Sequence, residues 1–300
     1  MKTILKTSIA LAATAIIFTT ATSPAQTAYA LADNGLSLIK FDLATPAITT
    51  LVGPISGVGG RLDGIDFRPA NGLLYGYSFA TNGVYTLNLN NAAATLAATP
   101  ATASTTGTLG IDFNPAADRL RLVNPNDQNL RINVAGGATI VDGTLAFAVG
   151  DPNFGVNPGL NEAAYTNNDN DGSTGTTLFY IDPNLDILVS TINPNAGALN
   201  TVGALGFNTS DLTGFDILTS LGGTNSAYAI LTAASGVASL HSINLATGAA
   251  TSLGVVNQST GVRPFSLAIQ PVPEPGTALF GLALIGASLS RARRKAVRRG

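Results

Sequence analysis

Short runs of alternating apolar and polar residues fill the middle of the chain, and Gly, Asn, Asp and Pro separate them. Residues 240–245, for example, read Leu-His-Ser-Ile-Asn-Leu, and successive side chains of such a run fall on opposite sides of an extended backbone. The separating residues are those that tight turns favour. The middle shows no long stretch of helical periodicity, so the pattern predicts an all-β domain of short strands.

One four-residue motif recurs along this middle part. Residues 64–67 and 110–113 both read Gly-Ile-Asp-Phe, and residues 214–217 read Gly-Phe-Asp-Ile. Residues 162–165 and 265–269 take the matching places without the Asp. The equivalent positions are then 66, 112, 164, 216 and 267, which lie 46, 52, 52 and 51 residues apart. A period near 50 with several strands in each unit is typical of a propeller blade.

The two ends of this repeat region complete each other. Residues 29–52 supply three strands, at 29–32, 37–42 and 48–52, whereas residues 265–270 supply one strand of the innermost type. Together they make one four-stranded blade and close the ring without an exposed edge. We therefore expect a β-propeller of about five four-stranded blades over residues 28–270. Six or seven blades would follow if two units are merged here, and a β-sandwich is the alternative fold.

The first 25 residues have the composition of a secretory signal peptide. Lys2 and Lys6 precede an apolar stretch from residue 9 to residue 18, and small residues follow. A membrane anchor is the alternative, but the stretch is short for a hydrocarbon layer of about 30 Å. Residues 23–25 and 28–30 both fit the small-x-small cleavage rule, and we prefer the earlier site because a strand starts at Tyr29.

Residues 271–300 combine three elements in a fixed order. These are an extended Pro motif (Val272, Pro273, Glu274 and Pro275), an apolar helix over 277–289, and a basic flank with Arg291, Arg293, Arg294 and Lys295. The order resembles the Pro-Glu-Pro C-terminal (PEP-CTERM) sorting signal of Gram-negative bacteria. The resemblance implies cleavage near the motif by an exosortase-type transpeptidase, a transient stay in the inner membrane, and delivery to the cell surface or an exopolysaccharide matrix.

The length of the apolar helix agrees with a transient signal. The 15 residues of 276–290 span about 22 Å as a helix, which is short for a permanent anchor across about 30 Å. An ordinary tail anchor is the alternative.

The middle of the chain resembles a family as well. Residues 29–31, 64–69, 110–121 and 124–131 are similar to the bacterial domain-of-unknown-function family 4394. The resemblance implies a propeller-like repeat domain outside the cytoplasm. It brings no catalytic residues, because no activity comes with the family.

Composition narrows the classes of function. Residues 31–270 hold seven Lys and Arg against 16 Asp and Glu, a net charge of −9, and such a domain repels nucleic acid. The chain has no Cys, which excludes disulfides, thiol catalysis and Cys-bound metals. It has no Trp and seven Tyr, so aromatic platforms for sugars are scarce.

Three repeated aspartates are the first candidates for chemistry. If the first strand of each blade lines the channel, then Asp66, Asp112 and Asp216 converge there, where they could bind a cation or share protons. The simpler interpretation is that they accept hydrogen bonds from a neighbouring turn or Arg.

A second candidate is a weak calcium loop at residues 167–172, with Asp169 and Asp171 as ligands. It lacks the acidic twelfth ligand, where Leu178 stands, so an Asn/Asp-rich hairpin loop is the simpler account. We therefore expect no cofactor, and Ca²⁺ remains the weak alternative.

The remaining candidates favour structure over chemistry. His241, the one histidine, is expected on a strand, exposed or packed between blades, without a catalytic role. Three arginines cluster in one unit, and we expect them to pair with nearby acids rather than with acidic carbohydrate. The arginines are Arg119, Arg121 and Arg131, and the acids are Asp112, Asp118 and Asp127.

These observations predict an exported surface or matrix protein of structural or adhesive type, without catalysis. A propeller face that binds polysaccharide or protein is the alternative, and a hydrolase using channel carboxylates is a third. The expected partners are the Sec export machinery, an exosortase-type enzyme, the membrane before processing and exopolysaccharide, but no nucleic acid.

Overall fold

Five sheets, each with four antiparallel strands, surround a central channel in the computed structural model, which describes residues 26–168, 173–220, 222–256 and 264–271. The innermost strands of neighbouring sheets contact each other all the way round the ring. The prediction of an all-β, five-bladed propeller is thereby confirmed. The predicted signal peptide and the C-terminal apolar helix lie outside the described residues.

The described residues form 21 strands. In chain order these are β1 Thr27–Ala32, β2 Ser37–Asp42, β3 Thr49–Pro54, β4 Gly64–Arg68, β5 Leu73–Ser78, β6 Gly83–Leu87, β7 Ala94–Ala98, β8 Gly110–Asn114, β9 Arg119–Val123, β10 Asn129–Ile132, β11 Thr139–Val141, β12 Ala146–Phe147, β13 Glu162–Tyr165, β14 Leu178–Asp182, β15 Ile187–Thr191, β16 Ala198–Ala204, β17 Thr213–Thr219, β18 Asn225–Thr232, β19 Ala238–Ile243, β20 Ala250–Val255 and β21 Phe265–Ile269.

Helical structure in the described part is limited to two 3₁₀ turns, Asp33–Gly35 and Pro194–Ala196. No helix among these residues is therefore long and apolar enough to cross a membrane.

Blade 1 closes the ring as predicted, because it joins the two ends of the domain. Its strand order is β21-β1-β2-β3, and β1 pairs antiparallel with β21 so that Ala28 faces Ile269. The Gln270 N–H extends this pairing with a 2.9 Å bond to the Thr27 carbonyl. Blades 2, 3 and 5 are β4–β7, β8–β11 and β17–β20, each continuous in sequence.

The hydrophobic core is divided into five clusters, one between each pair of neighbouring blades. Edge-to-face aromatic pairs join blade 1 to blade 2 through Tyr29 and Phe67, and blade 2 to blade 3 through Tyr75 and Phe113. Burial of one such large side chain contributes about 1.5–3 kcal/mol. The blades are therefore held mainly by apolar contacts with their neighbours.

The recurring glycine of the four-residue motif is explained by the close approach of inner strands. A Cβ at Gly110 would overlap the backbone of Glu162 on the next inner strand, and one at Gly214 would lie 2.7 Å from the Leu267 nitrogen. A Cβ at Gly64 would meet the Ile111 side chain at 3.0 Å. The glycine therefore lets adjacent inner strands lie almost in backbone contact.

Two features protect the outer edges of the blades from pairing with a further strand. In blades 1, 2, 4 and 5 a register shift, typical of a β-bulge, interrupts the pairing of the third strand with the fourth. In blade 4 the preceding linker also adds a fifth strand, because β12 pairs in parallel with β16. The sequence pattern did not predict this two-residue strand.

We expect Gly110→Ala to destabilise the propeller by at least about 1–3 kcal/mol, because the added methyl group overlaps backbone that cannot rotate away. The measurement is urea unfolding followed by circular dichroism. Gly136→Ala is the matched control, since no atom lies within 4 Å of its added Cβ, and it should leave the unfolding free energy unchanged or slightly higher. Equal losses in both variants would contradict the close approach of the inner strands.

Candidate functional site

The candidate site is the channel wall formed by the five inner strands, β21, β4, β8, β13 and β17. Within the described residues each of these strands is the last of its sheet, with no strand on its channel side. The N–H groups of each inner strand that point into the channel therefore need acceptors from outside its own sheet, since a buried unpaired N–H is costly.

One side chain from each inner strand supplies such an acceptor to the next blade. The five bonds run once round the ring: Ile65 N to Ser266 Oγ (2.9 Å), Phe113 N to Asp66 Oδ2 (2.7 Å), Tyr165 N to Asp112 Oδ2 (3.0 Å), Phe215 N to the Glu162 carboxyl, and Ile269 N to Asp216 Oδ2 (2.6 Å). We call these side chains, Asp66, Asp112, Glu162, Asp216 and Ser266, the acceptor ring. The ring joins every pair of neighbouring inner strands, including the pair at the closure.

The three predicted aspartates do converge in the channel. One carboxylate oxygen from each of Asp66, Asp112 and Asp216 lies within 4.8 Å of the others, and all three residues are buried. Each accepts a hydrogen bond from the backbone of the next inner strand, and none of their bonds comes from the neighbouring turn or Arg that the simpler interpretation named.

Burial dominates the electrostatics of the ring. It raises the pKa of Asp66, Asp112 and Glu162 well above the ordinary carboxyl range, and repulsion from the Asp216 charge raises the pKa of each further. Burial also raises the pKa of Asp216 to about 7, although hydrogen bonds from Ile269 and Ile217 oppose the shift. The channel therefore favours neutral carboxyl groups.

Two kinds of chemistry fit three converging carboxyls. They can share protons, as the raised pKa values favour, or they can donate oxygen ligands to a cation such as Ca²⁺. The cation stays a prediction. Replacing all three aspartates by Asn tests it, because an unaltered metal content of the purified protein would overturn a cation in the channel.

A small cavity of about 90 Å³ opens where the inner strands begin. Its lining includes Glu162, Asp211 and the ion pair of Arg61 with Asp63 (2.7 Å). The volume is far below the roughly 300–1,000 Å³ of typical small-molecule sites. The cavity therefore suits a few water molecules or an ion rather than a sugar residue.

The predicted partners of the arginine cluster are largely wrong. Arg121 is buried and bonds Asp142 (2.6 Å), and Arg131 bonds the same carboxylate (2.6 Å). Arg119 donates to the Ala117 and Asp118 backbone carbonyls. The sequence did not indicate Asp142 as a partner, because this residue follows the outermost strand of the blade, outside the motif that carries the arginines.

His241 packs between blades, which is one of the two positions predicted for it. Its ring lies against that of Phe207 with centroids 4.8 Å apart, and its Nδ1 is 3.2 Å from the Ser239 carbonyl oxygen. Burial lowers the pKa of this histidine, which favours the neutral ring. A structural role between blades 4 and 5 accounts for these contacts.

The start of the proposed calcium loop is tied to blade 5. Asn167 Oδ1 accepts a bond from the Asn225 side chain (2.8 Å), while the Asn168 amide bonds Ile217 O (2.9 Å) and Thr219 N (3.0 Å). These contacts support the hairpin-loop interpretation for the described residues. Asp169 and Asp171 lie outside them, as do the sorting residues Val272 to Pro275 and the basic flank from Arg291 to Lys295.

Sequence reasoning missed two members of the acceptor ring, Glu162 and Ser266. The repeat spacing selects positions 164 and 267 instead, because apolar residues dominate that alignment. A polar residue inside an otherwise apolar inner strand was the available signal, since each strand contributes one acceptor.

The family "Domain of unknown function (DUF4394)" matches residues 37–266. The chain belongs to this family. Residues 271–295 of this DUF4394 protein match a second profile, the PEP-CTERM protein-sorting motif. Both resemblances noted in the sequence are thereby confirmed.

Solved structures resemble the DUF4394 chain at low identity. A chain of a nidogen/laminin complex is 10% identical with a TM-score of 0.46, and the match covers 79% of this chain and 81% of that chain. A protein of unknown function from Bacteroides thetaiotaomicron VPI-5482 is 15% identical with a TM-score of 0.47, and the match covers 77% of this chain and 58% of that chain. Kuenenia stuttgartiensis hydrazine synthase is 14% identical with a TM-score of 0.39, and the match covers 68% of this chain and 53% of that chain.

These likenesses support no conclusion about function, because their TM-scores are below 0.5. No curated protein matches the chain.

We expect Asp112→Ala to lower the unfolding free energy by about 1–3 kcal/mol, because the Tyr165 N–H then lacks its acceptor. Asp112→Asn is the matched control, since its amide oxygen can accept the same bond without a charge. Thermal unfolding at neutral pH measures both. A loss in Asn as large as that in Ala would contradict the hydrogen-bonding role.

We expect the stability that the ring carboxyls contribute to fall as pH rises. The Asp216 carboxyl ionises near 3.8 in the unfolded chain but near 7 in the folded protein. Between these values the folded state binds more protons, so the contribution is complete below the unfolded pKa and is lost through the folded pKa.

The measurement compares the wild type with the triple variant Asp66→Asn, Asp112→Asn, Asp216→Asn in urea and EDTA. The stability of the variant relative to the wild type should increase between about pH 4 and pH 8 by at least about 1.4 kcal/mol, the equivalent of one pKa unit. A difference that does not change with pH would show that the carboxyls ionise normally in the folded state.

Proposed function

We propose that this protein is exported, cut by an exosortase-type enzyme, and displayed at the cell surface or in the surrounding matrix as a structural or adhesive propeller. One observation carries the proposal. The sorting motif begins at residue 271, directly after Gln270, whose N–H continues the pairing of the closing strand. The processing signal and the folded domain are therefore consecutive, with no intervening linker.

The chemistry of the channel supports a structural role over catalysis. Each ring carboxyl accepts a backbone N–H of the neighbouring blade, and Asp216 and Asp66 each accept a second N–H from the next residue of their own strand, Ile217 and Phe67. A hydrolase would need one carboxyl poised to donate a proton and a second left ionised, next to room for substrate. The cavity of about 90 Å³ is too small to hold a glycan there.

A binding role is the second candidate, favoured by exposed apolar side chains on the linker that follows β12. Val149, Phe154 and Val156 are exposed by 87%, 60% and 44%. Glycan-array binding by the propeller, lost in Phe154→Ala, would establish that role.

Mass spectrometry of the mature protein tests the proposal. We expect a C-terminus inside or just after residues 272–275 in wild-type cells, and a full-length tail when Pro273, Glu274 and Pro275 are changed to Ala. Pro69→Ala, in a turn of the propeller, is the control and should be processed normally. A wild-type protein that keeps residues 276–300, or an Ala variant that is still cut, would contradict exosortase processing.

A further inference from the structure

The propeller has two different ends, which the direction of the inner strands defines. All five inner strands begin beside the cavity, so we call this end the mouth face; it includes the turns at 33–36, 79–82 and 124–128. The strands finish at the opposite end, where turns such as 69–72 and 115–118 lie. We call that end the tail face.

Both ends of the described domain leave from the tail face. The Gln26 side chain donates a hydrogen bond to the Gln270 carbonyl, and Gln270 N bonds Thr27 O. The apolar stretch at 9–18 and the apolar stretch at 277–289 are therefore both joined to the same face of the ring.

Acidic charge is concentrated at the mouth face. Leaving aside the long linker 142–161, the described turns and linkers there hold five acids and one arginine: Asp33, Asp63, Asp127, Asp186, Asp211 and Arg61. The described turns of the tail face hold one charged residue, Asp118, and three more stand at strand ends beside them: Asp42, Arg68 and Arg119. Asp169, Asp171 and Arg263 lie outside the described residues and are not counted. Among the described residues the mouth face is therefore the more acidic of the two.

The tail is too short to let the domain turn over. Five residues separate Pro271 from Thr277, where the apolar stretch starts, and the six residue steps between them reach at most about 20 Å when fully extended. To bring the mouth face to the membrane, the tail would have to cross one blade, about 14 Å for the three spacings between its four strands, and then pass along a five-residue strand, about 17 Å. That path of about 31 Å exceeds the reach.

We propose that the unprocessed chain stands on the membrane with its tail face toward the lipid and its acidic mouth face directed away. The inference rests on the proposed function, since it needs the apolar stretch at 277–289 in the membrane. The tail face is then the surface that meets lipid and the processing enzyme.

Fluorescence quenching tests this orientation. The chain has no Cys, so single-label variants need no background substitutions. Ala70→Cys on the tail face and Ala80→Cys on the mouth face are matched, because both are exposed alanines in turns of blade 2. The unprocessed full chain, labelled with bimane, is bound to phosphatidylcholine vesicles that carry headgroup nitroxides.

We expect at least threefold stronger quenching at residue 70 than at residue 80. Equal quenching, no quenching at either position, or the reverse order in chains that float with the vesicles would overturn the orientation but leave the proposed sorting intact. A chain that does not float with the vesicles would overturn both the membrane step of the proposed function and the orientation.

Discussion

The fold depends on satisfying the channel-side N–H groups of five inner strands. The N–H groups of a strand at the end of a sheet normally bond to water or to another strand. Here the neighbouring inner strands almost touch, so these N–H groups need other acceptors. The acceptor ring resolves this constraint with one side chain from each blade. The same bonds that satisfy the backbone also fix each blade against the next, from Ser266 on the closing strand to Asp216 on the last blade.

The arrangement has an electrostatic cost. Four of the five acceptors are carboxyls; burial raises the pKa values of all four, and repulsion from neighbouring carboxyls raises those of Asp66, Asp112 and Glu162 further. Asn would provide an acceptor without that cost, yet Asp66, Asp112 and Asp216 recur in the repeated motif. Unlike the Asn amide, these carboxyls can also share protons with one another or donate oxygen ligands to a cation.

The sequence predicted the features that repeat and missed those that depend on contacts between blades. The spacing of the Gly-Ile-Asp-Phe motif predicted five units, and the unpaired strands at residues 29–52 and 265–270 predicted the closure. Glu162 and Ser266 were missed because the repeat spacing selects the apolar positions 164 and 267 in their strands, although each is the strongest acceptor side chain within its inner-strand motif. Asp142, which joins Arg121 to Arg131, and the short strand β12 were missed because outer-strand contacts leave no periodic pattern.

The account centres on the acceptor ring, and amide hydrogen exchange of the folded propeller tests it most directly. The five amides of Ile65, Phe113, Tyr165, Phe215 and Ile269 point away from their own sheets, so their protection depends on the ring alone. They should exchange together, as slowly as the amides paired within the sheets, and through global unfolding. Exchange of these five amides as fast as that of surface turns would contradict the account.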